Sequence, residues 1–283
     1  MSEKRSPTLP DLNEIGALAD ESIPLAEAAL ALSNSHRNGR SMQRYSHHLD
    51  LLGTQVADRY MTLLNAGARD VATTCLAALK HVLSDVHAYH GNKHDYDNLD
   101  NADLACVIDN SKGLPIALAI LYIHAGRAQG WSIDALNMPG HVLCRIEHNA
   151  ERVIFDPFES CKMMEAQDIR ALLKRLLGES AELSASYFEP TSRRDILIRL
   201  QNNIKLRQIE GEDYAEALVT VEDMMKIAPD EYRLDLDAGV LYAKTEQPLA
   251  ATRHLERYID VAPEHRDRQE AALLLRHIRE QLH

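Results

Sequence analysis

The sequence has few aromatic residues, few cysteines and no long apolar segment. Phenylalanine, tryptophan and tyrosine make up 5% of its 283 residues, whereas alanine and leucine are abundant, and this balance favours helices over sheets. The longest apolar run, residues 114–123, is only half of the roughly twenty residues that span a bilayer, so it predicts a buried helix. The four cysteines are too sparse for a disulfide scaffold and form no C-x-x-C pair, which predicts reduced thiols and a cytoplasmic location.

Positive charge is also scarce. The chain has 31 Lys and Arg residues against 43 Asp and Glu residues, a net charge of −12. Phosphate backbones and anionic lipid surfaces repel such a protein, so we expect neither nucleic acid nor a membrane as a partner. The first twenty residues contain polar and acidic side chains where a secretory signal needs an unbroken apolar segment, which again favours the cytoplasm.

Apolar residues recur at helical spacing in the N-terminal half. Residues 23–33 are rich in alanine and leucine, and residues 49–64 and 71–86 repeat apolar side chains at intervals of three and four, which predicts three helices. A loop with a cluster of Asn and Asp follows at residues 89–101. It leads into a short apolar segment around residues 104–108.

The pattern changes after Asn110. Pro115 suits the first position of a helix, the adjacent polar residues, including Ser111, can cap it, and Gly130 can end it. Three short segments with β-branched residues follow, WSIDALNM, HVLCRIE and ERVIFDP, the last two joined by a turn at residues 148–150. We therefore predict an α+β fold that is predominantly helical, with a small antiparallel sheet packed on the central helix.

A repeat occupies the C-terminal third. The tripeptides I-A-P at 227–229 and V-A-P at 261–263 are 34 residues apart, which is the period of tetratricopeptide repeats. The second repeat also places small, aromatic and apolar residues at the expected positions: Gly239, Tyr242, Ala251 and Leu255. At one position Pro248 replaces the usual aromatic residue. We predict one domain over residues 1–190 and a second over 191–283, with about two repeats and a capping helix.

The first helices of such repeats line a groove, and four polar side chains would face it: Arg199, Asn202, Arg233 and Lys244. Their chemistry suits an acidic or C-terminal carboxylate of a peptide. Two repeats are fewer than the roughly three that stabilise a free solenoid. The alternative is therefore that the repeats dock on the first domain and that their groove is filled from within.

A helix start, a histidine and an aspartate follow one another in the order of a papain-like or transglutaminase-like triad. His141 lies where one predicted strand opens, and Asp156 lies where the next strand ends. In such a site the nucleophile sits at the helix N-terminus, the imidazole accepts its proton and the carboxylate orients the imidazole. Here Pro115 occupies the helix start, and its neighbours supply no thiol or hydroxyl.

Two thiols are alternative nucleophiles. Cys144 follows His141 by three residues on one predicted strand, so the two side chains should point to opposite faces of the sheet. Cys106 lies nine residues before Pro115. It is either a nucleophile brought to His141 by an unusual loop or a small buried hydrophobe.

Without a thiol, the His141–Asp156 dyad has three possible uses. It can tie two strands together and satisfy buried polar groups. It can line a pocket in which His141 contacts a bound carbonyl. It can also activate water for hydrolysis, since a general base contributes about 10²–10⁴-fold to a rate.

A second group of polar residues lies upstream, within VHAYHGNKHDYD: His87, His90, His94, Asp95 and Asp97. Two imidazoles spaced by three residues on a last helical turn can share a metal ion. A polar helix end with a solvated loop gives the same pattern. The spacing is not that of a zinc motif, so we predict no metal and no cofactor.

Three runs in this order, NSKGLPIALAILYIHAGRAQG, NMPGHVLCR and VIFDPF, followed by the repeats, resemble the bacterial invasion-regulator (Sir-B type) family. That family joins a transglutaminase-like core to a repeat tail, and a related core occurs in a eukaryotic F-box protein. The resemblance implies a cysteine-protease-type α+β core in which another residue, here Pro115, replaces the cysteine. His141 and Asp156 carry over as a retained dyad, and the first of the three runs contains the candidate binding residues Asn110, Gly113 and Pro115.

Together these features predict a non-catalytic protein that acts in protein–protein interaction or regulatory scaffolding, with a protein or peptide as its partner. The alternative is a cysteine-type peptidase or amidase that uses an atypical thiol, such as Cys106, with His141 and Asp156.

Overall fold

The computed structural model describes residues 9–35 and 41–281. The described chain forms two compact units, one containing Asp20–Leu200 and the other combining Asp11–Ala19 with Gln201–His283. The two predicted domains begin at residue 1 and end at residue 283, and both of these residues lie outside the described part of the chain. Residues 1–8 of the N-terminal segment, which lacks the apolar run of a secretory signal, lie outside it as well. Among the described helices, none has both the length and the apolar character that a bilayer crossing requires.

Helices dominate the described part of the chain, which also contains two small sheets, and this confirms the α+β class. The helices are α1 (Leu12–Ala17), α2 (Leu25–Ser35), α3 (Gln43–Asn65), α4 (Ala72–Leu79), α5 (Leu104–Asn110), α6 (Pro115–Arg127), α7 (Ala166–Leu177), α8 (Arg193–Glu210), α9 (Tyr214–Ile227), α10 (Arg233–Lys244), α11 (Pro248–Val261) and α12 (His265–Gln281). The strands are β1 (His90–Gly91), β2 (Lys112–Gly113), β3 (Ser132–Ala135), β4 (Cys144–His148), β5 (Glu151–Asp156) and β6 (Lys162–Met163).

The main sheet has the strand order β3-β4-β5-β6 and is antiparallel throughout. Asn149 and Ala150 join β4 to β5 with positive φ angles of 46° and 63°, the backbone that a tight two-residue hairpin turn requires. The three predicted strands and their turn are therefore confirmed, although the second strand begins at Cys144 and not at His141. The short edge strand β6 was not predicted, and a separate parallel pair, β1 with β2, lies outside this sheet.

Helix α6 forms the centre of the first unit, as its apolar sequence predicts. It begins at Pro115 and is buried over nearly its whole circumference. The predicted capping by polar residues is wrong, because Ser111 instead ends α5 with a left-handed φ of 53° and Leu114 holds the N-cap position of α6 without a side-chain bond. The Leu114 amide donates to the Asn101 carbonyl oxygen at 2.8 Å, which gives one of the unpaired amides at the helix start a partner.

The helix predicted over residues 71–86 changes its winding partway along. After α4 the chain continues as a π-helix over Lys80–Val86. This π-helix contacts α3, which contains His48 and Gln55. His48 Nε2 lies 2.8 Å from the Tyr89 hydroxyl, and His87 Nε2 lies 2.6 Å from Gln55 Oε1. The His48 and His87 rings meet edge to face with their centroids 5.2 Å apart.

This histidine pair should make the first unit less stable in mild acid. Burial lowers the pKa of both His48 and His87 below the ordinary 6.5, and the His87 charge lowers that of His48 further. The unfolded chain therefore binds more protons than the folded chain as the pH falls through this range, so the free energy of unfolding decreases below about pH 6.5. Urea titrations at pH 7.5 and pH 5 measure the decrease.

We expect the decrease to be smaller in a variant that carries His48→Gln and His87→Gln. A control variant with His94→Gln and His265→Gln, both at exposed positions, should show the wild-type decrease. Equal decreases in all three proteins would contradict this assignment of the pH dependence.

In the second unit, α1 packs against α9, although the sequence analysis did not include an N-terminal helix in the repeat domain. A methyl group on Gly16 would overlap the Lys226 carbonyl oxygen, so only glycine permits this approach of the two helices. Gly239 has the small-residue role that the repeat pattern gives it, because a Cβ there would lie 2.7 Å from Leu255.

Candidate functional site

His141 lies in a turn that precedes β4, and not on a strand as predicted. Gly140 adopts a φ of +67°, which breaks the extended backbone just before the histidine. Strand alternation therefore does not set the directions of the His141 and Cys144 side chains as predicted, since β4 begins only at Cys144. Asp156 is the last residue of β5, so the sheet brings a strand end next to the turn.

His141 and Asp156 are in hydrogen-bond contact. His141 Nε2 lies 2.8 Å from Asp156 Oδ2, and the two side chains are 11% and 3% exposed. The other carboxylate oxygen, Oδ1, accepts from the Phe158 amide at 2.9 Å and from the Glu159 amide at 3.4 Å. A carboxylate held in this way fixes both the position of the imidazole and the proton on its Nε2.

The second imidazole nitrogen, Nδ1, is open to a ligand. It has no hydrogen bond to any of the described residues, and it is not among the buried polar atoms without a partner. In the tautomer that carries its proton on Nε2, the ring presents the Nδ1 lone pair. The dyad can therefore accept a hydrogen bond or a proton from a molecule that reaches the turn.

Aromatic and aliphatic side chains surround the imidazole. The Phe158 ring meets the His141 ring edge to face, with centroids 6.1 Å apart, and Tyr96 packs on Phe158 in the same manner at 5.9 Å. Leu176 lies beside Gly140, 3.7 Å from the position that a Cβ would take. Tyr96 is 41% exposed and Leu176 is 39% exposed, so the surface beside the dyad is partly apolar.

Arg199 supports the turn that carries His141. Its guanidinium donates to the His141 carbonyl oxygen at 2.8 Å and to the Met138 carbonyl oxygen at 3.3 Å, and burial lowers the pKa of Arg199. The repeat pattern predicts this residue in the repeat groove as a partner for a carboxylate. The structure instead places it against main-chain carbonyls of the first unit, so it positions the dyad.

Replacing Arg199 with alanine should cost about 1–3 kcal/mol, because two carbonyl oxygens lose their donor. Arg199→Lys keeps one donor group but not the planar fork, so we expect it to recover only part of the loss. Urea unfolding followed by Trp131 fluorescence measures the effect, since Trp131 is the single tryptophan and lies in the first unit. Arg152→Ala, on an exposed ion pair, is the matched control, and equal losses would contradict the role of Arg199.

No cysteine is a hydrogen-bond partner of His141 within the described residues. Burial raises the pKa of the Cys75 thiol to about 12 and raises those of Cys144 and Cys161 still further. All three thiols therefore stay protonated at neutral pH, which makes them poor nucleophiles. Cys106 is half-buried, and its Sγ donates to Asp100 Oδ1 at 3.4 Å.

The other candidate binding residues, Asn110 and two members of the G-x-P-I motif (residues 113–116), form backbone structure. Asn110 is exposed at the end of α5, and Pro115 is buried at the start of α6. Gly113 is buried in β2, where a Cβ would lie 2.9 Å from a methyl group of Val107. Their assignment as binding residues stays a prediction.

The remaining candidates of the repeat groove have local partners. Arg233 donates twice to the Glu231 carboxylate, at 2.7 and 2.8 Å. The Lys244 ammonium lies over the Tyr214 ring, 5.2 Å from its centroid, and Asn202 is half-buried. Their role in binding a peptide carboxylate stays a prediction.

The upstream histidines do not converge. His87 faces Gln55, and His90 Nδ1 bonds the Ala88 carbonyl oxygen within its own turn at 2.7 Å. Across residues 9–35 and 41–281, no three His, Cys, Asp or Glu side chains are arranged to hold a metal ion.

Sequence reasoning missed the aromatic neighbours of the dyad and the role of Arg199. Phe158 is the last residue of the F-D-P-F motif, so the motif already contained one signal. Tyr96 gave no signal, because its contact depends on a loop that is distant in sequence.

Comparisons with known proteins agree with this architecture. The transglutaminase-like superfamily matches residues 43–202, and a tetratricopeptide repeat family matches residues 204–276. No solved structure matches the chain.

The curated relatives include bacterial and mammalian proteins. A UPF0162 protein of Xylella fastidiosa (strain Temecula1) is 24% identical over 260 residues, which cover 90% of each chain. A UPF0162 protein of Pseudomonas aeruginosa is 28% identical over 247 residues, covering 86% of each chain. F-box only protein 21 of Homo sapiens is 26% identical over 180 residues, which are 61% of this chain and 28% of the human protein.

The superfamily match covers more than half of the sequence and includes the G-x-P-I, P-G-H and F-D-P-F motifs. The chain therefore belongs to the transglutaminase-like superfamily, and tetratricopeptide repeats follow its transglutaminase-like domain.

Proposed function

We propose that this protein is a non-catalytic member of the superfamily that binds protein partners as a regulatory scaffold in the cytoplasm. The observation that carries the proposal is the dyad itself. His141 is oriented and open at Nδ1, yet none of the described hydrogen bonds joins it to a thiol. The partly apolar surface formed by Tyr96 and Leu176 suits a polypeptide segment whose carbonyl or amide group reaches the imidazole.

Protein partners also agree with the rest of the chain. Tetratricopeptide repeats suggest protein interaction, and the net charge of −12 favours a protein over a nucleic acid as the partner. The order of core and repeats, together with the three motifs, supports a place in the bacterial invasion-regulator family.

Thiol reactivity tests the proposal. We treat the native protein with iodoacetamide at pH 7.5 and follow each cysteine by peptide mass spectrometry. Three thiols are buried with raised pKa values, so we expect alkylation only at Cys106, no faster than at free cysteine. Unfolding in urea should expose all four thiols.

The His141→Ala variant separates the two function classes. If the dyad activates no thiol, Cys106 is alkylated in this variant at the wild-type rate. The control His254→Ala removes an aspartate-bonded imidazole in the second unit, and Cys106 should be alkylated at the same rate in it. Labelling of Cys106 at least about tenfold faster than free cysteine, and slowed by His141→Ala, would instead support the peptidase or amidase alternative.

A further inference from the structure

The second unit contains a cavity of about 350 Å³ between α10, α11 and α12. Its lining combines four apolar side chains with two carboxylates: Leu236, Tyr258, Ala271, Leu274, Asp267 and Glu270. The volume lies within the range of small-ligand pockets, roughly 300–1,000 Å³. It is large enough for one aliphatic side chain of a partner.

The apolar side chains form a fixed floor. Tyr258 and Ala271 are each only 3% exposed. The Tyr232 ring stacks on the Tyr258 ring, with centroids 5.9 Å apart and an interplanar angle of 24°. Aromatic packing of this kind holds the floor in one shape before a partner arrives.

The two carboxylates make the cavity negative. Asp267 has no ion pair with any residue that the structure describes. Glu270 accepts from Arg266 at 2.9 Å, but the two side chains are 64% and 85% exposed. Such an exposed pair is weak, so a cation from a partner can replace Arg266 at little cost.

The negative charge of the carboxylates also acts on Tyr258, which lies in the floor of the cavity. Burial raises the pKa of the Tyr258 phenol, and the neighbouring Asp267, Glu264 and Glu270 carboxylates raise it further. None of the residues predicted for the repeat groove, including Arg233 and Lys244, lines this cavity.

We infer that this cavity binds a basic peptide segment, in which an aliphatic side chain enters between α10 and α12 and a flanking Lys or Arg pairs with Asp267 and Glu270. The inference rests on the proposed protein-binding function and assigns the partner's chemistry. Matching charges steer such a segment to the cavity and exclude acidic peptides.

Selection from a phage library of random dodecapeptides on the full chain tests the inference. We expect the selected peptides to carry Lys or Arg next to Leu or Ile. The strongest one, synthesised with a fluorescent label, should bind the Asp267→Asn, Glu270→Gln double variant about tenfold more weakly in fluorescence anisotropy. Its affinity for the wild type should also fall as salt is added.

The control is the Asp230→Asn, Glu280→Gln double variant, which removes the same charge from exposed positions of the second unit that do not line the cavity. It should bind within about twofold of the wild type. Circular dichroism confirms that both variants fold.

Other outcomes overturn the inference. Basic peptides that bind both double variants equally would place the site elsewhere. Enrichment of acidic peptides would contradict the predicted charge of the partner but would still support the proposed protein-binding function. Basic peptides that lose binding only in His141→Ala would move the site to the dyad, whereas a library with no enriched peptide would count against both the cavity and the proposed function.

Discussion

Replacing Asp156 with alanine should destabilise the first unit by about 2–4 kcal/mol. The change removes the acceptor of His141 Nε2 and leaves the Phe158 and Glu159 amides without their carboxylate partner. Because the Asp156 side chain is only 3% exposed, water cannot easily replace these bonds. Urea unfolding followed by Trp131 fluorescence measures the loss.

The aspartate-to-asparagine variant separates shape from charge. Asp156→Asn fills the same space and can still accept from the Phe158 amide, so we expect roughly half of the alanine loss. Asp85→Ala is the control, because Asp85 is 55% exposed and lies 3.9 Å from His81, and surface changes of this kind stay within about 0.5 kcal/mol. An alanine variant at Asp156 as stable as this control would show that the dyad does not hold the turn.

The sequence predicted those elements whose signals are local. Pro115 and the apolar residues after it defined α6, and the turn at Asn149 and Ala150 defined the hairpin. The 34-residue spacing of the I-A-P and V-A-P tripeptides predicted the repeats that the family match confirms. In each case neighbouring residues carry the propensity and the pattern within one element or one repeat period.

Features that depend on distant contacts were missed. The docking of α1 requires Gly16 to meet the Lys226 carbonyl oxygen, and nothing near Gly16 in the sequence signals that partner. The change from α4 to a π-helix likewise follows an uninterrupted apolar pattern. Tertiary packing decides such features, and periodicity cannot report it.

The candidate site likewise combines residues that a local signal reveals with residues whose contacts are distant in sequence. His141 and Asp156 stood out because their residue types and order suit a dyad, and their role stays a prediction. Arg199 was misplaced because its acceptors are the main-chain carbonyls of Met138 and His141, which every residue possesses. Pro139 and Gly140 form a turn signal directly before His141, and this signal favours a turn over a strand at the histidine.

Replacing Gly91 with alanine should cost about 2–3 kcal/mol, through overpacking beside the dyad. A methyl group at this position would overlap three carbons of the Phe158 ring. The backbone there is held on both sides, because the Gly91 amide donates to the Phe158 carbonyl oxygen at 3.0 Å and the Asn92 amide donates to the Gly113 carbonyl oxygen at 3.3 Å. The ring must therefore move, and it packs against His141.

A second substitution tests this explanation. Phe158→Leu removes ring atoms that the new methyl group would strike, so the double variant should be more stable than the sum of the two single losses by about 1 kcal/mol or more. Gly130→Ala serves as the control, since a Cβ there meets nothing within 4 Å and only the φ of +78° opposes it, at about 1–2 kcal/mol. Combined with Phe158→Leu, this control change should give strictly additive losses in the same urea titrations. Additive losses for Gly91→Ala as well would mean that the glycine is not required by the ring that packs on His141.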